Sequence, residues 1–467
     1  MAFRPSLLLS AALIVAAPST FAQERAPYEQ EAREIYKNVV ETRSARGQEN
    51  VPEVVDYLVG VLKDAGFEDG DIEVSDYDNN GEATQGMVVW YRAEEATEEP
   101  IVLLAHMDVV DALAKDWVLD PYTLTEEDGY FFGRGTADNK YGVTSLVSTF
   151  IRLKEEGFEP NRDLVMVLSG DEETGMVSTR AQAKWVDETV KPAFILNADA
   201  GGVSLGPKGD AMTYGVQGAE KTYATFELTV TNPGGHSSAP RKDNAIYELA
   251  DALKKIEAYK FPVRSSELTR ASLDAAGRRR LDKLGNAMRT FAEDPTNEGA
   301  IEILRDDPST VGQIGTTCIA TMLRAGHAEN ALPQSATATV NCRIFPGVGI
   351  EETEERLKEV VGNEDVKFEL ISDLVESPES GLRDDVLEAI NAALEARGLD
   401  IPVIPHMSAG GTDGMHYRNL GYDTYGVSGF AAKQNDVNAH GLNERMLVSS
   451  FYDGLDHFYV MIKHLAS

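Results

Sequence analysis

Four separated segments of the chain place histidine and carboxylate side chains at one kind of position. His106 and Asp108 lie just beyond the apolar run 101–105, Glu172 and Glu173 just beyond 164–168, and Asp199 just beyond 193–198. Asp138 follows the Gly-rich turn 133–135 and opens a helical stretch beginning near Tyr141. In open parallel sheets, sites form at the carboxyl ends of the strands. A single acid of this kind reads as a solvated loop charge; four segments converging on one edge read as a site. Imidazole and carboxylate together suit zinc, and a site with open positions is catalytic. Carboxylates this crowded repel one another unless they are protonated or bridged by a cation, and a pair of divalent ions sharing one carboxylate relieves that repulsion. The Glu pair divides naturally: one side chain binds while its neighbour stays off the metal to accept a proton.

The elements that must hold these residues follow from periodicity. The runs 101–105, 164–168 and 193–198 are continuously apolar, as expected of strands buried on both faces, and 141–153 has apolar residues at helical spacing. Strand, helix, strand implies an α/β fold with a mostly parallel sheet flanked by helices. Near residue 216 the rhythm changes. Residues 223–231 alternate, with Phe226, Leu228 and Val230 on one face, and 244–256 reads as an amphipathic helix. Residues 265–305 are charged and helix-prone, and two strands around residue 330 close the segment. The expected organisation is a signal peptide at 1–22, a catalytic domain at 23–216 and 347–467, and an inserted α+β lid or dimerisation domain at 217–346.

Leu104-Ala-His-Met-Asp108, Gly133-Arg-Gly-Thr-Ala-Asp138-Asn-Lys140 and Asp171-Glu-Glu-Thr-Gly175 are followed by Gly234-Gly-His-Ser-Ser-Ala-Pro240, Asn330-Ala-Leu-Pro333 and Asn341-Cys-Arg343. Gly410-Gly-Thr-Asp413 and His440-Gly-Leu-Asn443 complete the series. In this order the motifs resemble the zinc metallopeptidase family of glutamate carboxypeptidase, carboxypeptidase S, aminoacylase and succinyl-diaminopimelate desuccinylase, with carboxypeptidase S-like and dipeptidase-like members nearest. The resemblance implies two zinc ions bridged by Asp138, one completed by His106 and Asp199, the other by Glu173 and His440. Cobalt or manganese would satisfy the same ligands. It implies Glu172 as general base, and Asp108 as the residue holding His106 in its metal-binding tautomer, a role with its own physical rationale. His236, presented by Gly234 and Gly235, would stabilise an oxyanion, in family fashion often across a dimer interface; otherwise it is a surface histidine on a tight turn. Asn330, Arg343, Gly411 and Thr412 would meet substrate, Arg343 alternatively serving as a structural ion-pair partner. The expected activity is hydrolysis of amide bonds in short peptides, of carboxypeptidase or dipeptidase type. The alternative is deacylation of N-acyl amino acids. An inactive exported binding protein would lack a ligand or the base, and neither is missing. His327, His406, His416, His457 and His464 do not fit the set; His457 and His464 read as surface or packing residues.

Bulk properties bound the rest. Arg4, the eleven-residue apolar run 7–17 and Thr20-Phe21-Ala22 read as a secretion signal of bacterial look, which points to the periplasm. The run is shorter than the about 20 residues of a membrane span. The net charge of −34 repels nucleic acid and anionic lipid, so neither partner is expected. Two cysteines exclude a disulfide-rich scaffold and a Cys-based zinc site. Cys318 and Cys342 lie symmetrically about residue 330; pairing of their strands would bring them together as a disulfide, and two separate buried thiols are the other option.

Overall fold

A computed structural model describes residues 25–467 apart from 373–374 and 434; the expected signal peptide, 1–22, lies outside the described residues. The larger sheet has ten strands. Its middle runs Leu164–Ser169, Ile101–His106, Phe194–Asn197 and Thr424–Gly426, each parallel to the next. Ala83–Tyr91 and Ile72–Asp78 extend one side antiparallel, and Ala211–Glu220, Gly202–Leu205, Ala431–Lys433 and Val403–Ser408 build the other. Every residue of Ile101–His106 and Leu164–Ser169 is buried, because helices cover both faces. Leu103 and Ala105 pack with Val143, Phe150, Ile390 and Phe458, while Val102 and Leu104 turn to Ala183, Val186 and Tyr417. This two-sided burial is why these strands read as unbroken apolar runs.

The second sheet is wholly antiparallel, in the order Thr317–Ala325, Ser335–Ile344, Thr222–Thr231, Lys367–Leu370. One face buries Phe226, Leu228, Val230, Ala338 and Val340 under helices Ala245–Ala258 and Ile350–Val361. The first helix is capped by Asn244, whose side chain accepts the Ile246 amide at 2.9 Å. Cys318 and Cys342 are direct cross-strand partners with Cα atoms 4.0 Å apart, and they are joined as a disulfide.

Both expected edges of the inserted domain move. Strand Ala211–Glu220 stays in the larger sheet, so the chain crosses over at Lys221 rather than after residue 216. Residues 350–370 do not return to the larger sheet: Lys367–Leu370 pairs with Thr222–Thr231, and Leu357, Val361 and Val366 fill the small core. A helix followed by a short strand has the same periodicity whichever sheet it joins, so pattern alone mis-assigned it. The charged stretch forms helices Glu267–Arg278, Lys283–Glu293 and Glu298–Asp306 around Leu273, Met288, Phe291 and Leu304. Leu268 leans this bundle on Ala219 and Met407 of the larger sheet. Among the described residues no helix is long and apolar enough to cross a membrane.

Candidate active site

At the carboxyl edge of the parallel strands, Asp138 lies between two histidines. Its Oδ1 is 3.1 Å from His106 Nε2, and its Oδ2 is 3.1 Å from His440 Nε2. Each histidine then meets one further carboxylate: Asp199 Oδ1 is 3.6 Å from His106 Nε2, and Glu173 Oε1 is 2.8 Å from His440 Nε2. The ligand atoms of His106, Asp138 and Glu173 all fall within 4.8 Å of one another. His106 ends its buried strand, and Nδ1 faces the Asp108 carbonyl at 3.0 Å, leaving Nε2 for the cluster. The Asp108 carboxylate does a second job: it accepts the backbone N–H groups of Glu172 and Glu173, each at 3.0 Å, and so presents the Glu pair. Asp138 sits on a loop in which Gly135 has φ +83°, and a Cβ there would press on Val109.

The electrostatics express crowding. Burial pushes Asp199 up to about 7 and the Glu172 carboxyl well above the carboxylate range, with the neighbouring Asp199, Asp413 and Glu173 charges adding to the effect on Glu172. Burial would raise Asp138 as well, but hydrogen bonds from both imidazoles hold it well below its ordinary value. Hydrogen bonds to Asp138 and Glu173 lift His440 to about 10. A shared carboxylate with each oxygen turned to a different imidazole, and one further carboxylate on either side, is a donor set that fits two divalent ions. Glu172 is buried beside this set.

The model of peptidase family M20/M25/M40 matches residues 102–464. The chain belongs to this family. It is 30% identical over 376 residues to the N-fatty-acyl-amino acid synthase/hydrolase PM20D1 of Xenopus tropicalis, covering 78% of this chain and 72% of that protein. It is 27% identical over 391 residues to the probable carboxypeptidase S-like 2 of Dictyostelium discoideum, covering 82% and 75%. The M20 family metallo-carboxypeptidase Sso-CP2 of Sulfolobus solfataricus superposes with a TM-score of 0.68 at 19% identity, over 94% of this chain and 99% of that one. The expected family and fold class are therefore correct, and the protein is a metal-dependent hydrolase of peptide and amide bonds.

In this M20 peptidase the other expected site residues make their contacts outside the cluster's own side chains. His236 is exposed on a hairpin, Gly235–His236 against Ala331–Leu332, with Gly234 and Gly235 at φ +70° and +148°. Its Nδ1 accepts from the Ser238 hydroxyl at 2.8 Å, and the Asn330 carbonyl accepts the Ser237 N–H at 3.1 Å. Arg343 donates to the Ala409 carbonyl at 2.8 Å and covers the Tyr223 ring, tying the inserted domain to the loop of Gly410 and Gly411. Gly411 is exposed, whereas Thr412 is buried, its hydroxyl accepting from Asn197 at 3.0 Å and donating to Glu220. Asn197 in turn accepts the Asp199 N–H at 3.0 Å, so Thr412 supports Asp199 from behind. His457 is fully buried against Tyr214, with 2.9 Å from Nε2 to the hydroxyl, a packing role; His464 is exposed.

Three residues near the cluster escaped the sequence reading. Asn139 donates to Asp199 Oδ1 at 2.8 Å. Asp413 is buried and accepts from Ser169 and Thr179, each at 2.6 Å; burial raises it to about 6. Glu444 is fully buried below Asp138. The first two stand inside motifs already singled out, and Glu444 follows one directly, so adjacency to a motif was the available signal.

Proposed function

We propose that the protein is an exported peptidase that hydrolyses short peptides, as a carboxypeptidase or dipeptidase, with two zinc ions held by His106, Asp138, Asp199, Glu173 and His440. The observation that carries this reading is Asp138, whose two oxygens each face a different histidine at 3.1 Å. Ions held there would supply Lewis acidity toward a water and the scissile carbonyl. Glu172, buried beside the cluster, takes the proton of the attacking water. It then returns that proton to the leaving amine nitrogen as the C–N bond breaks. Asp108 keeps Glu172 beside the cluster through the backbone N–H it accepts.

His236 donates to the oxyanion in a dimer, reaching the site of a second copy. Two features support this. The imidazole is exposed with its contacts inside its own domain. The small sheet also ends in edge strand Thr317–Ala325, where Ile319, Met322 and Leu323 are 68, 58 and 62% exposed. Such an edge is a template for pairing with another strand. Arg343 and Asn330 complete the substrate end beside Gly411. Residues 1–22 direct the chain to the periplasm; N-terminal sequencing of protein from that compartment should start at Gln23.

The test is an assay of purified, zinc-loaded enzyme on dipeptides, longer peptides with a free carboxyl end, and N-acyl amino acids. Release of free amino acids from peptides supports the reading. Turnover confined to N-acyl amino acids replaces it with deacylation, the second reading, which the likeness to an N-fatty-acyl-amino acid synthase/hydrolase favours.

A further inference from the structure

Residue 444 collects an unusual number of bonds from the loop that carries Asp138. Its side chain accepts the Gly135 N–H at 3.0 Å on Oε2, and the Ala137 and Asp138 N–H groups at 2.8 and 3.1 Å on Oε1. Its backbone carbonyl accepts the Gly133 N–H at 3.2 Å. Arg134, on the same loop, donates to Glu444 Oε2 at 2.6 Å through Nη1 and to the Gly441 carbonyl at 3.0 Å through Nη2. Both charged partners are buried, Glu444 completely. A buried ion pair costs desolvation and is a weak source of stability by itself.

The loop held from the other side is His440 to Glu444. Within it His440 and Asn443 sit in the left-handed region, with φ of +60° and +56°. Non-glycine residues persist there only when their surroundings over-determine them. The surroundings here are the guanidinium on the Gly441 carbonyl, one residue after His440, and the carboxylate clamp on the Asp138 loop. Among the described residues neither Glu444 nor Arg134 hydrogen-bonds a side chain of the histidine–carboxylate cluster. Their bonds run to the backbone of the two segments bearing Asp138 and His440.

From this we infer that Glu444, with Arg134, is a positioning residue that sets the Asp138–His440 spacing and so governs the ion on the His440 side more than the ion on the His106 side. His106 and Asp199 hang on other supports, the end of a buried strand and the Asn197–Thr412 pair. The inference rests on the two-ion reading above, and the experiment separates the two.

Purified wild type, stripped and then titrated with zinc, is followed by calorimetry and by elemental analysis. Wild type taking up fewer than two ions overturns the two-ion reading. With two ions in wild type, Glu444→Gln should bind one ion about 10- to 100-fold more weakly and leave the other near its wild-type affinity. The double variant Glu444→Gln/His440→Ala should lose no more affinity than His440→Ala alone, since both act on one ion. Glu444→Asp, which keeps the charge but not the reach, should restore part of the loss. Wild-type affinity at both ions, or equal weakening at both, overturns the assignment. If Glu444→Gln does not fold, Arg134→Lys decides: it keeps a buried cation but cannot fork between Glu444 and Gly441, and wild-type affinity for both ions in that variant overturns the inference equally.

Discussion

The two sheets solve different problems with the same chain. The larger one buries its central strands on both faces and lets them end together, so that His106 is delivered by the strand's last residue and Glu172, Glu173 and Asp199 by the loops just beyond. The smaller one buries a single face, leaves an apolar edge strand exposed and carries His236 on an open hairpin. The first region gathers its histidines and carboxylates around Asp138; the second leaves His236 exposed, bonded to Ser238 of its own turn. The comparison teaches that strand ends buried on two faces bring side chains from distant segments together by folding, whereas a hairpin off a one-faced sheet leaves its side chain open to solvent.

The sharpest way to break the comparison is at Glu172. Glu172→Gln should lower kcat by about 100- to 10,000-fold while zinc content stays that of wild type. Lost metal would make it a ligand instead, and full activity would remove it from the chemistry. In the smaller region, His236→Ala should lower kcat by about 100- to 1,000-fold with both ions retained. Mixing inactive Glu172→Gln and His236→Ala subunits should recover activity if the imidazole crosses between copies, because one site then receives an intact base and an intact histidine. Recovery that does not exceed the sum of the two separate proteins would keep His236 within its own chain or outside the reaction.

Metal removal sharpens the comparison further, since only the larger region is expected to respond. In the metal-free protein, hydrogen bonds to Asp138 and Glu173 raise His440 from 6.5 to about 10, and burial raises Asp199 from 3.8 to about 7. Both groups therefore hold protons in the folded state that the unfolded state has released. The stability they contribute is present at low pH and is lost as pH rises, through about 7 for Asp199 and through about 10 for His440. Metal competes for the same atoms. Chelation should accordingly lower Tm by more at pH 9 than at pH 6, and a calorimetric scan at each pH checks the order. The smallest effect belongs to the disulfide. Replacing Cys318 and Cys342 by serine should destabilise the small sheet by about 3 kcal/mol, the value expected for closing a loop of that length, without touching zinc affinity. Denaturant melts of the two forms, beside zinc titrations, test both halves of that statement.

Much of the site was legible because its residues occupy positions that pattern can locate. An unbroken apolar run such as 101–105 marks a two-sided strand, and the polar residues after it must lie at the sheet edge. His106, Glu172, Glu173 and Asp199 were found this way, and Asp138 by its glycine-rich turn. The support was not legible. Glu444 reads as one acid among 77, and nothing local announces that it is fully buried on a loop 306 residues away. Thr412 stands in a glycine loop, and nothing local shows that its hydroxyl is spent on Asn197 and Glu220. The fold shows the same division: nothing local in Lys367–Leu370 says that it joins the small sheet.

What the sequence determined by itself was the set of elements and the donor chemistry, because burial on two faces, burial on one face and ligand type are all written in local side-chain identity. What only the tertiary structure decided was which distant segments meet: the crossing at Lys221, the bond between Cys318 and Cys342, and the clamp of Glu444 and Arg134 around Asp138 and His440. Those contacts join residues from 24 to 310 positions apart. They depend on how the sheets stack and on which buried charges find each other, and no local pattern encodes that.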